Sequence, residues 1–191
     1  MRASPPTLVA ASRAIATQRE AMLARWREWL GERLSTAPGV GRDLVEHELG
    51  VILDVLTVMV GPLRREVKHI WSGVTDHYGR LAATRGLAAG EVVEELQYLR
   101  ELLIRYLAPA IAALRPRQGM ALLLRLNRLV DKGVAAAVAG YTDVLVSGLI
   151  ARAGDDPSDE TVAIDPDAVR AELEDFARAL QAITGNGTHG T

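Results

Sequence analysis

Apolar residues recur every three or four positions along most of this 191-residue chain. In the segment 89–114 the spacing is four, three, four and four, over Val92, Leu96, Leu99, Leu103 and Leu107. Residues at that spacing share one face of an α-helix, so the segment predicts a helix with a buried face. Stretches that alternate between apolar and polar residues, as half-buried strands do, are only a few residues long. The pattern therefore predicts an all-α fold.

Composition favours the same fold class. Apolar residues make up 49% of the chain, which is enough for a core, but aromatic residues make up only 4%. Strands favour β-branched and aromatic residues, so a core rich in leucine, valine and alanine suits packed helices better. We predict a bundle of about five long helices plus a C-terminal helix, over residues 5–34, 42–60, 63–85, 89–114, 117–152 and 166–183.

The fifth predicted helix is apolar on more than one side, which is typical of a helix at the centre of a bundle or of a dimer. At about 1.5 Å per residue it is roughly 50 Å long, so we expect its C-terminal end to project. Small residues allow another helix to approach closely. We predict a symmetric homodimer in which the fifth helices pack together. In the alternative interpretation, the last helix folds back within the same chain and covers the apolar surface of the fifth helix. The predicted packing residues are Gly133, Ala137, Gly140 and Tyr141.

Charge divides the chain into parts. Residues 154–191 contain nine acidic residues and two arginines, a net charge of −7, and since the whole chain carries −2 the remainder carries +5. Residues 154–165 are predicted to be an acidic linker, and Asp165-Pro166 is typical of a helix start. We predict a helical sensor or interaction domain over 1–153, followed by the linker, and then a short helix with a flexible tail over 166–191.

The sequence contains no cysteine, which excludes disulfides, thiolate chemistry, cysteine zinc sites and iron–sulfur clusters. The first residues lack the apolar core of a signal peptide, and charged residues such as Asp54 and Arg125 interrupt the most apolar stretches. We therefore expect a cytoplasmic protein with no membrane segment. The arginines are spread over several helices and do not cluster with aromatic residues, so we expect no binding of nucleic acid.

Four residues are candidates for binding a small ligand: Trp71, His77, Tyr78 and Tyr98. His77 would lie over a haem or ligand pocket if the bundle were globin-like. The simpler interpretation, which we favour, is a histidine at the side of a helix that bonds Asp76 or water. In both interpretations the segment 76–106, which contains His77, Tyr78 and Tyr98, is the most informative part of the sequence.

Other polar residues give weaker signals. His47 falls on the apolar side of the second helix, where it is either an axial ligand or, more simply, a core histidine. No pair of histidines shows the i, i+3 or i, i+4 spacing with glutamate that a metal-binding helix uses, so no metal site is expected. Glu94 and Glu95 are interpreted as a solvated helix face. No pattern of a catalytic nucleophile, base or phosphate loop is present, so we do not expect an enzyme.

Two segments resemble a known family, the N-terminal domain of RsbT co-antagonist proteins of the RsbRD type. They are residues 76–87, DHYGRLAATRGL, and residues 91–100, EVVEELQYLR. In that domain a helix ends in a turn of the type Arg-x-x-x-Gly-aromatic, and the next helix ends in Glu-x-x-x-Leu-Arg. Residues 126–132, LNRLVDK, followed by Tyr141, are similar to the last helix of the domain. The resemblance covers about residues 10–150.

The resemblance implies a globin-like bundle that lacks haem and transmits stress signals as a homodimer. In the family this domain precedes an output module, for which residues 154–191 are too few. The chain is then either a stand-alone module or part of a larger sensor. Its expected partner is a protein such as a kinase or an anti-sigma-antagonist component.

We therefore weigh three classes of function. The leading hypothesis is a non-enzymatic bacterial signalling module that acts through dimerisation and protein–protein contacts in stress signal transduction. The alternative is a haem-binding or small-ligand-binding globin-like protein, with His77 or His47 near the iron. An enzyme is the third and least favoured class.

Overall fold

The computed structural model describes residues 4–31, 42–153 and 165–186. These residues contain helices and no strand, so the predicted all-α fold class is confirmed. A short 3-10 helix at Pro62–Arg64 precedes the third helix. Nearly all of the predicted linker, and the last residues of the predicted tail, lie outside the described residues. The six helices are α1 (Pro5–Gly31), α2 (Arg42–Val60), α3 (Lys68–Thr84), α4 (Ala89–Ala112), α5 (Pro116–Ala153) and α6 (Pro166–Asn186).

One predicted helix differs in its start. The third helix was expected from residue 63, but the chain first forms the 3-10 turn after Gly61 and begins α3 at Lys68. Pro62 occupies the first turn of that 3-10 helix, where its missing N–H is not needed. A proline near the end of a helix predicts a kink there, and Pro109 lies inside the last turn of α4.

The turn between α3 and α4 is built by Gly86. Its φ of +76° is the left-handed conformation that glycine adopts without a side-chain clash. The N–H of Gly86 donates to the carbonyl of Ala83, and the N–H of Leu87 donates to the carbonyl of Ala82. This pair of bonds is a Schellman motif, which ends a helix and turns the chain. A glycine just after the last residue of a helical pattern predicts a helix end, so the position of Gly86 agrees with its sequence context.

The core lies where α3 packs against α5 and α2, with α1 and α4 enclosing it. Leu96 and Leu99 are buried and Glu94 is exposed, as the periodicity of the fourth helix predicts. The same periodicity predicts that Arg100 is exposed, but Arg100 is half-buried and pairs with Asp131 of α5. The helix phase read from the leucines is therefore correct.

The last helix is not an outlying element. α6 packs against α2 and α3, and its apolar stripe faces them. Leu173 is fully buried, Leu180 is buried, and Val169 and Phe176 are half-buried. The apolar stripe of α6 is thus buried against α2 and α3 of the same chain.

Candidate functional site

Two buried side chains, His77 and Glu48, join α3 to α2. His77 Nδ1 lies 2.5 Å from Glu48 Oε1, and the two residues are 3% and 0% exposed. The interpretation of His77 as a helix-side residue that bonds Asp76 or water is therefore wrong. A carboxylate inside a core is stable only when it is hydrogen-bonded, and the imidazole supplies that bond.

A second buried group joins α3 to α4. The hydroxyl of Tyr78 donates to Glu95 Oε2 at 2.5 Å, and Arg85 Nη2 donates to Glu95 Oε1 at 3.1 Å. All three residues are buried. Arg85 is the C-cap of α3, so the turn at Gly86 aims its guanidinium at Glu95. The prediction that Glu95 belongs to a solvated helix face is wrong.

Burial sets the protonation of these groups. It raises the pKa of Tyr78 well above its usual 10, and the charge of Glu95 acts in the same direction, so Tyr78 is a neutral donor. Burial also raises the pKa of Glu48, although the hydrogen bond from His77 opposes it. Burial acts to lower the pKa of Arg85, but the charge and hydrogen bond of Glu95, together with smaller contributions from neighbouring groups, raise the pKa overall, so Arg85 stays cationic. Five side chains, including His77, therefore share one electrostatic environment.

Not every polar atom of this network is paired. Glu48 Oε2 and Trp26 Nε1 are buried and have no hydrogen-bond partner among the described residues. The ring centroid of Trp26 lies 6.2 Å from that of Tyr78, so the Trp26 side chain packs near the same network. A buried polar group that lacks a hydrogen-bond partner is costly. We take this network as the candidate functional site.

The sequence contains a signal for the burial of Glu48 and Glu95, which were not predicted to be buried. Glu48 lies four positions after Leu44 and four before Ile52, and Glu95 lies three after Val92 and four before Leu99. Both carboxylates thus occupy the apolar stripes of their helices, where a charge needs a buried partner. The sequence analysis places the neighbouring His47, and not Glu48, on the apolar side of the second helix. In the structure His47 is exposed, so it is neither a core histidine nor an axial ligand.

The other two predicted ligand residues lie apart from this network. Trp71 is buried, and its indole N–H donates to the carbonyl of Leu129 at 3.1 Å. Tyr98 is half-buried and stacks on Trp29 of α1, with ring centroids 4.6 Å apart. Both join one helix to another. The structure therefore brings only His77 and Tyr78, of the four, to one site.

The surroundings of His77 do not fit a haem. An axial ligand needs one ring nitrogen open to a cavity as wide as the porphyrin. His77 Nδ1 faces Glu48, Nε2 lies 3.7 Å from Glu172 of α6, and the Phe176 ring stands edge-on at 6.3 Å. Among the described residues, no three histidine or acidic side chains come together as metal ligands. A surface groove of about 380 Å³ between α1 and α4, near Tyr106, is lined by none of the four predicted ligand residues.

The predicted packing row on α5 is in contact with α3 of the same chain. A side-chain carbon at Gly140 would overlap the carbonyl oxygen of Asp76, and one at Gly133 would lie 2.7 Å from the Trp71 ring. Ala137 lies against Gly79. The hydroxyl of Tyr141 donates to the carbonyl of Leu87 at 2.7 Å. These four residues build the bundle, so a dimer must use another face of α5.

Such a face exists at the end of α5. Between Tyr141, which is buried, and Ile150 no side chain of α5 is fully buried, and four apolar side chains are exposed: Leu145, Val146, Leu149 and Ile150. The twelve residues from 142 to 153 extend about 18 Å at about 1.5 Å per residue. Val146 follows Ala137 by nine residues, which is two and a half helical turns, so the two residues lie on opposite sides of α5. The expectation that the end of this helix projects is supported.

By length and composition, α5 from Pro116 to Ile150 would also suffice to cross a bilayer. The charged residues around Arg125 lie before its most apolar part, so the sequence argument against such a segment does not hold. The same property is common in core helices of soluble bundles and gives only weak evidence. No family model, curated protein or solved structure matches this chain. The family resemblance therefore stays a prediction.

Proposed function

We propose that this chain is a non-enzymatic signalling module that acts through a homodimer of α5 and through protein–protein contacts. The observation that carries the proposal is the apolar end of α5, which extends beyond the bundle with Leu145, Val146, Leu149 and Ile150 exposed. Contiguous exposed apolar surface of this kind marks an interaction site in soluble proteins.

The spacing of this surface favours a second copy of the same helix as its partner. Thr142, Leu145 and Leu149 are three and four residues apart, which is the spacing of core positions in a two-stranded coiled coil. Asp143 is the one charged residue between 142 and 150, so few charges oppose the pairing of identical helices. A parallel pair places the two bundles side by side and both helix ends in the same direction, as an output module needs.

The buried network gives this module a way to respond to a signal. Tyr78 and His77 lie next to Gly79, where the backbones of α3 and α5 touch. Because packed cores deform little, a displacement of α3 at this contact would also displace α5. A change in the charge or pairing of Glu48 and Glu95 would shift α3 and thereby move the end of α5.

The biological setting belongs to the same proposal. The resemblance to RsbT co-antagonist proteins supports a role in bacterial stress signalling, with a kinase or an anti-sigma-antagonist component as the partner. The proposed place of action is the cytoplasm.

Cysteine cross-linking tests the α5 pair, because the chain has no cysteine of its own. In a parallel two-fold pair Leu149 faces its own copy, so Leu149→Cys is expected to form a disulfide-linked dimer on mild oxidation. Ser147→Cys is the control, since Ser147 is exposed but lies two residues, about 200°, around the helix. Equal cross-linking at both positions would contradict the pairing. Binding to lipid vesicles without any cross-link would point to a membrane instead.

A further inference from the structure

The groove between α2 and α3 that holds α6 has a hollow for an aromatic ring. A side-chain carbon at Gly73 of α3 would lie 2.8 Å from Cε1 of Phe176 and 3.2 Å from its Cζ. Glycine is thus required at this position for the ring to lie where it does. Leu173, three residues earlier, is fully buried beside it. This is the geometry of an amphipathic helix in a groove, with an aromatic anchor.

The rim of the groove selects for an acidic helix. Arg80 Nη2 lies 3.1 Å from Glu172 Oε2, and His77 Nε2 lies 3.7 Å from the same oxygen. Asp76, one turn before Arg80 on α3, also forms an ion pair with the guanidinium, at 3.1 Å from Arg80 Nε. A helix with an acidic residue just before its first buried leucine therefore meets an arginine that is already oriented.

α6 occupies this groove with few contacts outside its apolar stripe. Its other charged residues pair within the helix, Arg170 with Asp167 and Arg178 with Glu174 and Asp175. The chain between α5 and α6 is only the short segment 154–165. A short tether gives a helix an effective concentration of about millimolar, so a modest interface is enough to keep it bound.

We infer that the α2–α3 groove is a binding site for an acidic amphipathic helix of a partner protein, and that α6 is its tethered, displaceable occupant. The partner helix carries an acidic residue, an adjacent leucine, an aromatic residue three positions after that leucine, and an apolar residue four positions further. This is the order of Glu172, Leu173, Phe176 and Leu180 in α6. The inference is independent of the α5 pair, because it concerns a different surface.

Competition in the full-length chain tests this inference. The probe is a fluorescein-labelled peptide of residues 165–186, whose binding is followed by anisotropy. In the wild-type chain the tethered α6 excludes the probe. Phe176→Ala in the chain removes the anchor, so the probe is expected to bind this variant about tenfold more tightly or better. A probe that itself carries Phe176→Ala is expected not to bind.

Two further variants keep the test decisive. Glu172→Lys changes a half-exposed residue and places like charges beside Arg80, so it is expected to open the groove without disturbing the core. Gly73→Ala combined with Phe176→Ala fills the hollow and is expected to abolish binding, while circular dichroism verifies its helix content. The inference is overturned if the probe binds wild type and both opened variants equally, if it binds none of them, or if filling the hollow leaves binding unchanged.

Discussion

The backbones of α3 and α5 touch where Gly79 lies against Ala137. A side-chain carbon at Gly79 would overlap the carbonyl oxygen of Ala137. This contact follows directly after Tyr78 and so lies between the buried polar network and the helix that projects from the bundle. It is the physical link between the proposed sensing site and the proposed output.

The first prediction concerns this contact. Gly79→Ala is expected to lower the free energy of unfolding by about 3 kcal/mol or more, because neither backbone can move away without disturbing the core. Gly148→Ala on α5 is the matched control. A side-chain carbon at Gly148 would have no neighbouring atom within 4 Å, so alanine there should raise stability by about 0.5–1 kcal/mol through helix propensity. Urea denaturation measures both, and similar losses from the two variants would refute the close contact.

Two adjacent glutamates on α4 give the second prediction. Glu95→Ala leaves the buried guanidinium of Arg85 without its partner, which is expected to cost about 3–5 kcal/mol of unfolding free energy. Glu94→Ala, at an exposed position, should change it by less than about 0.5 kcal/mol. Thermal and urea unfolding of the two variants test this prediction. If the two substitutions have the same effect, Glu95 is not buried as described.

How much of this could be read from the sequence depends on the kind of interaction. The spacing of Leu96 and Leu99 gives the helix and its buried face, because burial repeats with the helical period. The partners of His77 are different, since Glu48 is 29 residues away and only the packing of α2 on α3 brings them together. For the same reason the sequence shows that Gly140 permits close approach, but not that α3 is the helix that approaches.

The pH dependence of stability gives the third prediction. Burial raises the pKa of Glu48 above its ordinary 4.5, so the folded chain binds this proton more tightly than the unfolded chain. The contribution of Glu48 to stability is then largest below pH 4.5 and falls as the pH rises from 4.5 through the raised pKa. Glu48→Gln cannot ionise and should lack this fall.

The measurement is urea unfolding of wild type and Glu48→Gln at a series of pH values upward from 4.5. The stability of the variant relative to wild type should increase with pH over this range. Glu94→Gln, which changes an exposed carboxylate, should show no such trend. A difference that is constant with pH, or that changes in the opposite direction, would show that Glu48 does not carry the effect.

The fourth prediction concerns the coupling of Gly73 and Phe176. In the wild-type chain Gly73→Ala forces the Phe176 ring to shift, which is expected to cost about 1–3 kcal/mol despite the better helix propensity of alanine. In a Phe176→Ala background the clash is absent, so the same change should be neutral or stabilising. A double-mutant cycle by urea denaturation measures the coupling. Additive effects would mean that the ring does not occupy the hollow.

The mass of the full-length chain in solution tests the central proposal most directly. Sedimentation equilibrium over a concentration range up to about 100 μM is expected to give twice the chain mass of 20.6 kDa. Leu149→Lys, which places a charge in the exposed stripe of α5, should return it to the mass of one chain. Val9→Lys, at an exposed apolar position on α1, should leave the dimer intact. A mass of 20.6 kDa for wild type at every concentration would contradict the account.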